Sequence, residues 1–397
     1  MNLDLDERAS AFQAEARAWL VDHVPSKPLP SMDTADGFAA HKEWEALLAE
    51  NRWSVVSWPA EYHGREASLL EWVIFEEEYY RSGAPGRVSQ NGIFLLAPIL
   101  FEHGTKEQQD RFLPSMATGE KVWAQAWSEP EAGSDLAAIR STAARDEEAG
   151  GWRLTGQKTW SSRAAFADWG FGLFRSDSKA ERHSGLTYFL FPLDAEGVTV
   201  RPIAQLDGEP GFAEIFLDDV FVPDSDVLGA PGEGWRVAMS TAGNERGLSL
   251  RSPGRFCAAA DRLVDLWKRT SASDPARPAA TRTADRVVDS WIAAQAYRAY
   301  TWGTVTRLAA GGEMGAAGSE NKLFWSELDI ALHETALDLL GPESELRGDE
   351  APDGGRWTDG YLFSLAGPIY AGTNEIQRNI VAERVLGLPK DKTRGGR

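Results

Sequence analysis

Trp123-Ala-Gln-Ala-Trp-Ser-Glu-Pro-Glu-Ala-Gly-Ser-Asp135 is the stretch from which the rest of the chain can be read. It joins a short strand to a polar turn. Ser128 and Ser134 offer hydroxyls there, and Gly133 lets backbone N–H groups come close to a ligand. On its C-terminal side the hydrophobic period stays short. Trp152 to Lys158, Asp168 to Arg175, Leu186 to Leu193, Val198 to Ile203 and Phe212 to Leu217 are apolar or alternating runs. Gly, Pro and Asp separate them, which predicts a β-rich segment from about 120 to 225, a barrel or sandwich of short strands.

On either side of that segment the period is helical. Leu5, Phe12, Ala16, Trp19 and Leu20 recur at helical spacing. Leu69, Leu70, Val73 and Ile74, with Glu76 to Tyr80, form a second run that stops at Gly83 and Pro85. Thr105 and Gln108 make a capping-box start for a helix ending near Gly119. Pro28, Pro30 and Pro59 mark loops. After Gly234 the spacing predicts helices over 234–271, 280–310 and 319–340, and a last one from Thr373 to Leu386. Ser271 to Pro278 and Glu343 to Gly355 read as loops. The expected fold class is α+β multidomain: an N-terminal helical domain (1–119), a central β-domain (120–229) and a C-terminal helical bundle (230–397).

The chain has 397 residues, with 41 Lys+Arg against 60 Asp+Glu and a net charge of −19. Such a charge repels phosphate backbones and anionic lipid, so neither nucleic acid nor a membrane surface is expected as the main partner. One cysteine, Cys257, excludes an internal disulfide framework and any four-Cys metal site. The acidic N-terminus lacks a signal-peptide pattern, and no apolar run is long enough to span a bilayer. A cytoplasmic protein is the expectation. GxSxG, GxxxxGK[ST] and HExxH are absent, and the six histidines are scattered, so neither triad chemistry nor a metal site has support. Gly229-Ala-Pro-Gly-Glu-Gly234 lacks the strand–turn–helix context of a phosphate loop and reads as a loop entering a helix.

Two further blocks accompany the first: Lys158-Thr-Trp-Ser-Ser162, and Ile369-Tyr-Ala-Gly-Thr-Asn-Glu-Ile-Gln-Arg378 running on to Val385-Leu-Gly-Leu-Pro389. In this order they resemble the acyl-CoA dehydrogenase family over nearly the whole chain. The resemblance implies the same helical, β and four-helix-bundle order reached above from periodicity. It also implies FAD, held between the β-domain and the C-terminal helices. By position Trp127 and Ser128 flank the flavin ring, with Ser128 on its pyrimidine edge. Ser134 lies near the flavin phosphates, Trp160 packs on the flavin, Ser162 bonds its N5, and Thr373 and Glu375 contact FAD. Gln125 and Gly133 join the candidate cofactor-binding set, and Gly341 falls where a partner subunit meets the adenine half. Taken singly, Trp127 and Trp160 read as β-domain core, Ser128 and Ser162 as turn hydroxyls, and Thr373 as the N-cap of the last helix. Their joint order and spacing carry the flavin reading.

The implied activity is α,β-dehydrogenation of an acyl-CoA thioester to the 2-enoyl-CoA, with electrons passed to an electron-transfer flavoprotein in fatty acid or lipid metabolism. It needs a base for the α-proton and donors for the thioester oxygen. Many relatives carry a glutamate directly before the Gly-Thr. Here that position is Ala371, which keeps only its backbone N–H as a thioester donor. The branch resembling isovaleryl- and long-chain acyl-CoA dehydrogenases places the base before an arginine on an earlier helix. Glu245, in Gly243-Asn-Glu-Arg-Gly247, matches and is the expected base. A plain solvated glutamate paired with Arg246 is the alternative. Glu129 and Glu131 match structural positions of the turn.

A second departure is the missing Arg-x-x-Phe-Gly motif, whose arginine meets the FAD pyrophosphate of another subunit. Trp267 to Asp274 lacks it, with Arg269 as a nearby candidate substitute. A homo-oligomer, dimer or tetramer, is expected, with a heterotetramer as the competing arrangement. Two other functions compete: a flavin monooxygenase or oxidase on the same fold, and a non-catalytic partner chain completing another subunit's site.

Overall fold

The computed structural model describes residues 5–180, 182–248, 250–273, 278–312 and 317–389. In chain order the first helices are α1 (Glu7–His23), α2 (Ala35–Glu50), α3 (Leu69–Arg81), α4 (Ala97–His103) and α5 (Lys106–Ala117). The strands are β1 (Trp123–Ala126), β2 (Thr142–Asp146), β3 (Gly151–Ser162), β4 (Trp169–Arg175), β5 (Leu186–Pro192), β6 (Val198–Ile203), β7 (Phe212–Pro223) and β8 (Val227–Leu228). There follow α6 (Gly234–Leu248), α7 (Ser252–Ser273), α8 (Pro278–Ala309), α9 (Ala317–Leu340), α10 (Arg356–Ser364) and α11 (Asn374–Ile380).

The helix–strand–helix order is the one the sequence predicts, and the chain has the three-part fold of a helical segment, a central mixed sheet and a C-terminal helix bundle. The sheet runs β6-β7-β3-β2-β4-β5-β8, with β1 parallel to β4 off that path. β6 and β8 are free ends, so the sandwich half of the expectation holds and the closed barrel does not.

By contacts the chain forms two compact units. One comprises residues 25–68 and 85–245. Its core is the apolar face of the sheet, with Leu154, Phe174, Phe189, Phe191, Ile215, Val220 and Val222 buried. β7 alternates buried and half-exposed positions, as a strand with one wet face does, while β4 and β5 are buried almost throughout. α5 is tied to this body by its capping residue. The Gln108 side chain accepts from Thr105 N and donates to the carbonyls of Ser225 and Val227, each at 2.8 Å.

The other unit comprises residues 1–24, 69–84 and 246–397. Phe256, Leu263, Trp325, Leu332, Leu339 and Trp357 form the core of α7, α8, α9 and α10. α3 joins this unit through buried carboxylates. Glu78 takes a bidentate contact from Arg17 at 2.9 Å, and Glu77 takes one from Arg298 at 2.8 Å.

Several element boundaries differ from the expectation. The helix predicted over 234–271 is two, α6 and α7, because Pro253 fits only the first turn of a helix. Ser271 to Ser273 belong to α7 rather than to a loop, and 274–277 lie outside the described residues. Glu343 to Gly355 folds as short 3-10 turns. α2 escapes the periodicity reading because its buried stripe of Phe38, His41, Trp44, Glu45 and Leu48 carries two polar members.

Candidate active site

The two sequence blocks of the β-rich unit meet. Thr159 N donates to Ser128 O at 2.9 Å, and Lys158 Nζ donates to Glu129 Oε1 at 2.8 Å. Lys158 is fully buried and donates also to Leu173 O at 2.7 Å. Burial pushes its amine down to about 8, against the pull of Glu129. For Glu129 burial works upward, but Lys158 and the N–H groups of Arg140 and Ser141, at 2.6 and 3.0 Å, outweigh it and hold the carboxyl below its usual range. Glu129 thus anchors the turn, while Glu131 is exposed.

β1 delivers Trp127 and Ser128, both half-buried. Trp127 Nε1 donates to Tyr188 Oη at 3.2 Å, with the rings edge to face at 6.4 Å. Tyr188 in turn lies 3.5 Å from Thr241 Oγ1 on α6, one turn ahead of Glu245. Tyr188 was not singled out from the sequence. Apart from Thr187 its neighbours in β5 are apolar, and only its contact with Trp127 marks it out.

β3 breaks its alternation where the second block lies. The pairing with β7 shifts between Lys158 and Ser161, and Trp160 takes φ +59°. A left-handed conformation costs a tryptophan about 1–2 kcal/mol and persists only where its surroundings enforce it. The bulge turns the Trp160 ring outward, 61% exposed, with one edge contact to Phe212. The core reading of Trp160 therefore fails. Ser162 is half-buried beside it. Gly133 and Ser134 are exposed, and a Cβ on Gly133 would meet nothing within 4 Å.

In the helical unit, Ala371 and Gly372 both have positive φ, +56° and +77°. Gln377 Nε2 donates to Ala371 O at 2.8 Å and closes this turn. Thr373 accepts from Ile376 N at 3.3 Å, so its hydroxyl caps α11. Glu375 is exposed in the first turn of α11. Its carboxyl is held below the usual range by its own backbone N–H and by Thr373. Asn374, which was not singled out from the sequence, is buried and accepts from Lys322 at 2.8 Å and Ser326 at 3.2 Å. Gly341 ends α9 at φ +59°, and its carbonyl accepts from Ser344. Arg269 is bound in two-pronged fashion by Asp353. Glu245 lies on α6, and its side chain is outside the described residues.

The residues of the β-rich unit fit a flavin. Trp160 offers a ring face held outward at a backbone cost. Gln125 Nε2 and Ser161 Oγ are buried with no protein partner, donors suited to a polar ring edge. The open space over Gly133 leaves room for a ligand at the turn.

Three family descriptions match consecutive parts of the chain. They are the N-terminal domain of acyl-CoA dehydrogenase over residues 6–120, its middle domain over 124–220 and its C-terminal domain over 232–386. The chain is 41% identical to acyl-CoA dehydrogenase IpdE1 of Mycolicibacterium smegmatis, over 96% of this chain and 98% of that protein. Among solved structures it is similar to the Tcur3481-Tcur3483 steroid ACAD, with TM-score 0.84, 25% identity and coverage of 98% and 100%. It is also similar to the ChsE4-ChsE5 complex of Mycobacterium tuberculosis, with TM-score 0.82, 26% identity and the same coverage.

Proposed function

Because the chain belongs to the acyl-CoA dehydrogenase family, we propose which of its residues carry out that family's reaction. The protein is an FAD-dependent acyl-CoA dehydrogenase that catalyses α,β-dehydrogenation of an acyl-CoA thioester. FAD, when bound, supplies a hydride acceptor for the β-hydrogen.

Glu245 takes the substrate's α-proton. Its place on α6 and the alanine at 371 together support a base relocated to the earlier helix, as in the isovaleryl- and long-chain branch. The Ala371 N–H donates to the thioester oxygen and stabilises the enolate-like charge that develops there. On the β-rich unit, Gln125, Trp127, Ser128, Gly133, Ser134, Trp160 and Ser162 hold the cofactor. On the helical unit Thr373, Glu375 and Gly341 contribute. The observation that carries this assignment is Trp160, turned out of the sheet at a left-handed residue beside the Ser128 turn. The domain boundaries that go with it are 1–119, 120–229 and 230–397.

Electrons leave to an electron-transfer flavoprotein. The chain works in an oligomer, and a second, different chain completing the FAD contacts is favoured over four identical copies. Arg269, the one nearby substitute for the missing motif, is already engaged by Asp353. The similar structures named above are themselves described by two components each. The word steroid in one description supports a bulky polycyclic acyl group as the first substrate to try.

An anaerobic titration with butyryl-, octanoyl-, palmitoyl-, isovaleryl- and steroid-acyl-CoA, followed by flavin absorbance, tests the whole reading. Bleaching by at least one is expected, and Glu245→Gln should abolish it while FAD stays bound. Full turnover in that variant refutes the base. Light scattering of the chain alone, with its FAD content, tests the oligomer.

A further inference from the structure

One strand, β5, holds both the turn of the first sequence block and the helix that carries Glu245. The register shows how. Ala126 of β1 pairs with Gly172 of β4, and Leu173 of β4 pairs with Tyr188 of β5. Trp127, one residue past Ala126, therefore stands in the row of Tyr188 two strands away, at about 4.8 Å per strand. β1 lies close against β4 because Gly172 has no side chain, and a Cβ there would come within 2.2 Å of Ala126 O. An indole has a single donor, Nε1, and that of Trp127 is committed to Tyr188 Oη at 3.2 Å. The same phenol reaches α6. Its oxygen lies 3.5 Å from Thr241 Oγ1, and Thr241 donates to Val237 O at 3.1 Å. Because the Thr241 proton goes to that carbonyl, the phenol proton goes to Thr241, and the phenol oxygen accepts from Trp127. Tyr188 and Thr241 are both fully buried. The neighbours of Tyr188 hold the approach to α6. Thr187 Oγ1 accepts from Gly232 N at 2.9 Å, and Leu186 forms a parallel bridge with Glu233. From α4, His103 Nε2 lies 2.9 Å from Ser240 Oγ.

We propose that Tyr188 is a positioning residue for the dehydrogenation. Its hydroxyl ties the Trp127–Ser128 turn to α6 and so sets the spacing between the residues that flank the flavin and the helix that bears the base. Glu245 stands one helical turn past Thr241. The inference rests on the roles given to Trp127, Ser128 and Glu245 in the proposed function. Its physical logic is geometric. The α-proton and the β-hydrogen leave in opposite directions, so the base and the cofactor must be held at a fixed separation. A misplacement of about 1 Å costs about 100-fold in rate. A phenylalanine would fill the same room in β5, as Phe189 and Phe191 do further along the strand. A buried hydroxyl earns its place there only through its partners, and these are one donor on the cofactor side and one acceptor on the base side. Tyr188 touches neither substrate nor cofactor in this scheme.

Tyr188→Phe keeps the ring and removes the hydroxyl. Amide hydrogen exchange on the purified protein reads the tie without turnover. Exchange over 127–132 and over 234–245 should each rise about 10-fold in this variant, while 169–175, the strand paired with β5, keeps its protection. Thr241→Val should raise exchange over 234–245 alone, and Thr241→Ser should hold it at the parent's level. The visible circular dichroism of the bound flavin reads the orientation of a neighbouring indole. It should change in Tyr188→Phe and stay as in the parent in Thr241→Val. Anaerobic flavin reduction by whichever of the five acyl-CoAs bleaches the parent should slow about 10-fold in Tyr188→Phe, at an unchanged half-saturating concentration. Unchanged exchange over 127–132 and 234–245, or an equal rise over 169–175, overturns the tie. A parent-like reduction rate at saturation overturns its positioning role. Full turnover in Glu245→Gln removes the base from α6 instead, and the exchange result still decides the tie.

Discussion

Replacing Lys158 by methionine keeps the length of the side chain and removes its charge. The structure sets the size of the effect. Lys158 is fully buried, and its Nζ serves Glu129 at 2.8 Å and Leu173 O at 2.7 Å. Removing one partner of a buried pair costs about 3–5 kcal/mol, because the other charge stays behind in a poor solvent. Here Glu129 keeps the N–H groups of Arg140 and Ser141, which places the loss at the lower end. We expect about 3–4 kcal/mol. At roughly 2–4 °C per kcal/mol for a body of this size, that is about 6–16 °C in the melting midpoint. Thermal denaturation followed by circular dichroism at neutral pH measures it. The double variant Glu129→Gln/Lys158→Met is the control. It should be less destabilised than Lys158→Met alone, since the stranded carboxylate is gone. A loss below about 1 kcal/mol, the value of an exposed pair, with strict additivity in the double variant, would refute the reasoning.

Three further outcomes follow from the same geometry. Ala371→Gly should raise stability by about 0.5–1 kcal/mol, the relief of left-handed strain less the extra chain entropy of glycine, read as a shift in urea midpoint. The pH dependence also has a definite sign. Lys158 titrates near 8 when folded, against an ordinary 10.5, so the unfolded chain holds its proton longer. Stability should therefore gain a contribution as pH rises from about 8 toward 10.5, and denaturation midpoints of Lys158→Met should lack that increment. Gln108→Ala strips the buried Val227 carbonyl and the Ser225 carbonyl of their donor and halves a capping box. It should cost about 2–3 kcal/mol in thermal denaturation, with no change in the flavin spectrum.

Much of the fold was legible because its hydrophobic period changes twice along the chain. β6 ends where the alternation of Val198 to Ile203 ends, and α5 starts at its capping box. α2 was hidden because His41 and Glu45 stand on its buried stripe, where a reading of apolar spacing has no term for a satisfied polar group. Of the candidate site, the identity of the blocks was legible and their internal roles were not. Thr373 caps α11, as its isolated reading had it, whereas Trp160 departs from its isolated reading through a bulge that no local pattern encodes. Tyr188, Asn374 and Asp329 are set in apolar or helical runs. Only tertiary pairing shows that Tyr188 meets Trp127, that Lys322 holds Asn374 and that Arg255 holds Asp329.

The outward Trp160 also gives this protein an optical property. Most of its sixteen tryptophans are buried or half-buried, but Trp160 shows 61% of its surface to water, against 41% for Trp291. An aqueous ionic quencher such as iodide will reach these indoles and spare the interior ones. A planar ring settling against Trp160 shields it from the quencher and drains its excited state at once. Under the proposed assignment, the residue that the bulge turns out of the sheet is thereby the one whose light reports, in an unlabelled sample, whether the cofactor has arrived.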